Sequence, residues 1–221
     1  MHPWLAPLYT TFRHHAEPAN AAPMQAYMKD RFPFFGIKTP ERRALLAAHI
    51  AAHGAPELAE LPAIARSAFA AREREMHQVA VDLLMKHAKQ LGPEHLPLVE
   101  ELVTTRSWWD SVDALAIHVA GVIFRRHPRE VAAWNKRWIT SKDLWLNRMA
   151  ILFQNRWKKD TDKALLFANI ERHAGHKDFF IRKAIGWALR ELAATDPEAV
   201  KAFVRTHHLS PLSTREALRK L

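Results

Sequence analysis

Ser107-Trp108-Trp109-Asp110-Ser111-Val112-Asp113 has two looser relatives further along the chain, the stretches Ser141 to Gln154 and His176 to Arg190. Each starts at a polar residue, places aromatics in its first turn and runs into a stripe of small and apolar residues. Ser107 lies 34 residues before Ser141, and Trp145 lies 35 before Phe180. Two helices per period of about this length indicate an α-solenoid of HEAT type. A single helix pair cannot bury its own apolar face, so pairs must stack, and the inner helices of a stacked array line a concave groove. The expected fold is therefore all-α, one continuous domain over residues 1–221.

The rest of the chain agrees in period. Apolar residues recur at helical spacing almost throughout, and no alternating strand pattern of useful length occurs. About a dozen helices are expected. Thr39-Pro40 opens one that Gly54 stops; another runs from Arg72 to Leu91 with Gly92 as its cap. Ser141 opens a third, Asp196-Pro197 a fourth, and Ser107 with Asp110 and Ser213 with Glu216 read as capping boxes. Trp108, Val112, Leu115, Val119 and Ile123 form one core-facing stripe. Phe32-Pro33-Phe34-Phe35-Gly36 is too apolar for a tether and reads as a buried turn.

Composition narrows the function. The chain has no cysteine, which excludes disulfides and thiolate chemistry and fits a reducing, cytoplasmic setting. Met-His-Pro-Trp lacks the basic and apolar regions of a signal peptide, and no uncharged apolar run reaches membrane-spanning length. Hydrophobic residues make up 48% of the chain, enough for a sizeable core. Net charge is +10 and uneven: residues 1–100 carry 11 basic and 10 acidic residues, residues 101–221 carry 22 and 13. Seven of the eight tryptophans also follow residue 100, so the second half reads as a nucleic-acid surface. A merely solvated basic face is the plain alternative.

Trp109 and Asp113 are four residues apart, one above the other on a helix face distinct from the core stripe. This spacing presents an indole and a carboxylate outward together. Asp113 could equally be a solvated or arginine-paired acid. Trp187 shares a helix face with Lys183, four residues back, and Arg190, three residues on. Arg148, Arg156, Lys158, Lys159, Arg182, Lys183 and Arg190 are the candidate phosphate contacts. The fourteen histidines show no metal-binding spacing, and the six glycines form no phosphate loop, so no metal or cofactor is expected.

Taken together, Trp108 to Asp113, Trp145 to Gln154 and Phe179 to Glu191 resemble the AlkD-type DNA alkylation repair glycosylases. The resemblance continues through Pro23-Met24 to Lys29, Phe35 to Arg43 and Pro211-Leu212-Ser213, and covers essentially the whole chain. It implies a HEAT-like solenoid with a concave basic groove. It also implies excision of cationic N3- and N7-alkylated purines such as 7-methylguanine and 3-methyladenine from double-stranded DNA. Asp113 would be the catalytic carboxylate, and Trp109 and Trp187 the aromatic walls at the deoxyribose. Arg148 would contact the DNA backbone, with Tyr27, Arg190 and the charge at Arg156 as further contacts. A cofactor-free monomer, DNA-associated in a bacterial-type cytoplasm, is expected. A non-catalytic HEAT-repeat nucleic-acid binder is the alternative, and a protein-binding scaffold ranks third because the basic charge disfavours it.

Overall fold

The computed structural model describes all residues from Met1 to Leu221 as helices and connections, without a strand. The all-α expectation holds. Internal contacts group the chain into two compact units, Met1–Leu91 and Gly92–Leu221.

The first unit holds α1 (Ala6–His14), α2 (Pro18–Tyr27), α3 (Thr39–His53), α4 (Leu61–Phe69) and α5 (Arg74–His87). Thr39 and Gly54 bound α3 as the sequence indicates. The 72–91 segment differs: its helix begins at Arg74 and ends at His87, and Gly92 instead leads into a 3-10 turn, Pro93–His95. The Phe32–Gly36 stretch is a buried turn, with Phe32, Phe34 and Phe35 all under a tenth exposed. Glu75, fully buried at the start of α5, explains how a coil can lie there. Its carboxylate accepts the amides of Phe35 (3.1 Å), Gly36 (2.9 Å) and Ile37 (3.1 Å). A buried loop without such partners would leave its N–H groups unsatisfied.

The second unit runs through α6 (Leu96–Thr104), α7 (Trp109–Leu115), a π-helical turn (Ala116–Ala120), α8 (Gly121–Arg126) and α9 (Val131–Ile139). It continues with α10 (Leu144–Leu152), α11 (Lys163–His173), α12 (Phe179–Ala193), α13 (Pro197–Thr206) and α14 (Pro211–Ala217). The predicted stripe is all core, with Trp108 at 5% exposure and Val112, Leu115, Val119 and Ile123 at 0%.

The repeat period reappears as the separation between bonded residues. Buried Asn135 and Asn169, 34 apart, exchange amide hydrogen bonds of 3.0 and 2.7 Å. Arg125 pairs with Asp160, 35 apart. His173 Nε2 lies 3.0 Å from the Ile139 carbonyl, again 34 apart. The first-turn aromatics of the three related stretches also meet. Trp108, Trp145 and Phe180 have ring centroids 4.9–5.6 Å apart, the offset and tilted geometry that aromatic pairs favour.

Helix starts depart from expectation. The caps are Asp143, accepting from Trp145 N and Leu146 N, and Asp178, accepting from Phe180 N. Neither Ser107 nor Ser141 caps a helix: Trp108 stands at the cap of α7, and Ser141 Oγ accepts from Asp143 N. An aspartate oxygen next to the first turn outcompetes the serine two residues earlier. Ser210, not Ser213, caps α14, which frees Ser213 and Glu216 for the contacts described below.

Candidate active site

Three helices of the second unit carry the candidate residues: α7 with Trp109 and Asp113, α10 with Arg148, and α12 with Arg182, Lys183, Trp187 and Arg190. α10 packs against both α7 and α12. Its Arg148 is the physical link. Nε and Nη2 donate to the two Asp113 oxygens at 2.6 and 2.7 Å, and Nη1 donates to the Phe180 carbonyl at the head of α12. One guanidinium thus ties α7, α10 and α12 together, and the fork geometry fixes the plane of the carboxylate.

Asp113 is 8% exposed and Arg148 5%. The outward-facing carboxylate read from helix spacing is therefore a buried one, and Arg148 faces Asp113 instead of an open surface. Spacing along α7 could not reveal that α10 covers this face. Burial pushes the Asp113 carboxyl above its ordinary value, the Arg148 guanidinium pulls against that rise, and nearby Asp110 adds to it. The two paired N–H groups leave one lone-pair direction open on each carboxylate oxygen.

The backbone beneath Asp113 is unusual. The helix widens into its π turn three residues later and narrows again at Gly121. A Cβ at Gly121 would sit 2.3 Å from the Phe153 carbonyl, just past α10, so the missing side chain permits the helix approach. Single π turns inside α-helices recur at functional sites.

Trp109 and Trp187 are both half-buried. Trp109 opens α7 one turn before Asp113, as its spacing predicts. Trp187 lies between Lys183 and Arg190, whose charged ends both reach Glu216 of α14, at 3.0 and 2.7 Å. Arg182 is half-buried, and its buried Nε has no hydrogen-bond partner. Arg156 and Lys158 are exposed, and both hold left-handed backbone, φ 73° and 57°. Such conformations carry a cost of order 1 kcal/mol or more for side chains other than glycine. Tyr27 ends α2 of the first unit and is 68% exposed. Sequence reading missed Glu216 as a member of this set, having assigned it to a cap; the clue was its acidity in a segment otherwise rich in cations.

The sequence profile of the family described as DNA alkylation repair enzyme matches residues 8–221. A solved structure titled as a predicted DNA alkylation repair enzyme from Enterococcus faecalis superposes with a TM-score of 0.87 at 32% identity, covering 93% of this chain and 96% of that one. The crystal structure of smu.31 from Streptococcus mutans UA159 shares the fold, with a TM-score of 0.60 at 16% identity over 80% of this chain and 90% of that one. No functionally curated protein matches.

Proposed function

The chain belongs to the DNA alkylation repair enzyme family, and from that premise we propose that it is a monofunctional DNA glycosylase. Its proposed substrates are N3- and N7-alkylated purines in double-stranded DNA, and its proposed reaction is hydrolysis of their N-glycosidic bond, the first step of base excision repair. The observation that supports this reading most is the buried carboxylate of Asp113, gripped on one side by Arg148 and carried one helical turn from Trp109.

An N3- or N7-alkylated purine already bears a positive charge. When the C1′–N bond breaks, its electron pair leaves with the base, which departs neutral, so no general acid is needed. This accounts for a single carboxylate where glycosidases use two. The sugar left behind approaches an oxocarbenium ion. Asp113, ionised and held in place, stabilises that cation with the lone pairs Arg148 leaves open, and orients the water that adds to C1′ and releases its proton to solvent. Because the carboxylate sits in a low-dielectric setting, its field acts more strongly than it would in water. Trp109 and Trp187 would add cation–π attraction, roughly 0.5–2 kcal/mol for each ring.

In this reading Arg148 serves by orienting Asp113. The proposed phosphate contacts of the second unit, read as HEAT-like, are Arg190, Lys183, Arg182, Arg156 and Lys158, and Tyr27 is the proposed DNA contact of the first unit. The lesion is attacked from its sugar-phosphate side without being enclosed in a pocket. The chemistry calls for no metal or cofactor, and a monomer suffices. A DNA substrate is compatible with the proposed DNA-associated cytoplasmic location.

The test is direct. The purified protein is incubated with methylated genomic DNA and the released bases are separated by chromatography. Free 7-methylguanine and 3-methyladenine support the proposal. Binding to the same DNA with no base released would replace it with the non-catalytic nucleic-acid binder.

A further inference from the structure

The last helix is short and is placed by its neighbour. α14 has seven residues, with Pro211 at its first position and Ser210 Oγ accepting the Ser213 amide at 3.1 Å. What holds it is α12. Ser213 Oγ donates to the Arg182 carbonyl at 2.9 Å. Gly186 supplies the notch: a Cβ there would lie 2.5 Å from Glu216 Cβ and 2.9 Å from the Ser213 carbonyl. Glu216 is thereby seated against the middle of α12, only 8% exposed.

From that seat its two oxygens separate two cations. Oε1 takes Lys183 Nζ at 3.0 Å, and Oε2 takes Arg190 Nη1 at 2.7 Å. Lys183 and Arg190 are seven residues apart, two turns on one helix face, and Trp187 lies between them. Long flexible side chains lose rotamer freedom when they grip a phosphate. A buried carboxylate that already restrains both removes part of that loss. It also leaves the trio with one net positive charge and with further N–H groups on both cations for an incoming anion.

We propose that Glu216 is a positioning residue for DNA: it holds Lys183 and Arg190 as a pre-arranged pair of phosphate donors on either side of Trp187. The inference rests on reading α12 as part of the DNA interface, and it is tested by binding, separately from catalysis.

The measurement is fluorescence anisotropy of undamaged duplex DNA with the full-length protein, over a range of salt concentrations. Glu216→Gln should weaken binding about tenfold, within the range of couplings found inside one salt-bridge network. Glu216→Asp, which keeps the charge but is one methylene too short to reach both cations, should weaken it as well. Neither loss should persist in a background carrying Lys183→Ala and Arg190→Ala, because the residues being positioned are then gone. Tighter binding by Glu216→Gln with a steeper salt dependence would overturn the proposal and make Glu216 a competitor for its own cations. A wild-type affinity for Glu216→Asp, or an undiminished loss in the doubly substituted background, would overturn it too, leaving a role of charge alone or of packing. A lowered melting temperature with unchanged affinity has the same consequence. If the wild-type protein binds duplex DNA but releases no alkylated base, the glycosylase reading fails while this test stays readable.

Discussion

Glu75 in the first unit and Asp113 in the second are both buried carboxylates near a helix start, and both are pushed upward in pKa by burial. They differ in what answers the charge. Glu75 accepts the amides of Phe35, Gly36 and Ile37, so three of the four lone-pair directions of the group are taken by backbone. Asp113 is answered by one guanidinium through two N–H groups, which leaves half of its accepting capacity open. A carboxylate engaged by three backbone amides fixes a loop. A half-satisfied one, held rigidly and shielded from water, is suited to an incoming cation. Burial alone therefore does not separate a structural acid from a reactive one; the count and kind of its partners does.

The comparison breaks first at Asp113. Asp113→Asn should lower single-turnover release of 7-methylguanine by about 10²–10³-fold or more, the scale on which preorganised electrostatic groups act. Near-normal release would place Asp113 beside Glu75 as a purely structural group. Next comes its partner. Arg148→Lys cannot supply two parallel N–H groups to Asp113 and a third to the Phe180 carbonyl. Release should fall by roughly 10²-fold through misplacement of the carboxylate, with duplex binding nearly retained. Loss of binding without a slower chemical step would return Arg148 to the role of phosphate contact.

Glu75→Gln tests the other side. An amide in place of the carboxylate turns one acceptor into a donor facing backbone N–H groups, and about 3 kcal/mol of stability should be lost. The readout is the urea midpoint. Excision per folded molecule should match wild type; a specific catalytic defect would erase the distinction drawn here. The smallest effect is in pH. Catalysis needs ionised Asp113, whose pKa is raised above the ordinary 3.8. The acid limb of kcat/KM should accordingly lie above that value, with activity falling as pH drops through it. A limb at or below 3.8 would mean that Arg148 outweighs burial.

What was legible in the sequence follows from what local pattern encodes. The likeness of the three aromatic-led stretches was legible, and their first-turn rings Trp108, Trp145 and Phe180 meet in space, a contact the spacing alone did not state. The core stripe of α7 was legible because one packed face imposes one period. The exposure of Asp113 was not, because that face is covered by α10, a neighbour that α7 itself does not encode. Helix caps were displaced for a similar reason. Asp143 and Asp178 take the first-turn amides while Ser141 and His176 accept the N–H of those aspartates, and that division depends on backbone angles that composition leaves open. Glu216 looked like half of a local box beside Ser213, whereas both reach across to α12. Gly186 was the signal for that approach, and its meaning is clear only once α14 is placed against it.

The amide pair of Asn135 and Asn169 has its own consequence. Each side chain is donor and acceptor to the other: an aliphatic residue at 169 leaves both polar groups of Asn135 without this partner in the interior, whereas one at 135 strands only the Asn169 oxygen, whose amide group keeps the Ala150 carbonyl at 2.9 Å. These two sites should therefore drift as a unit through the history of the chain.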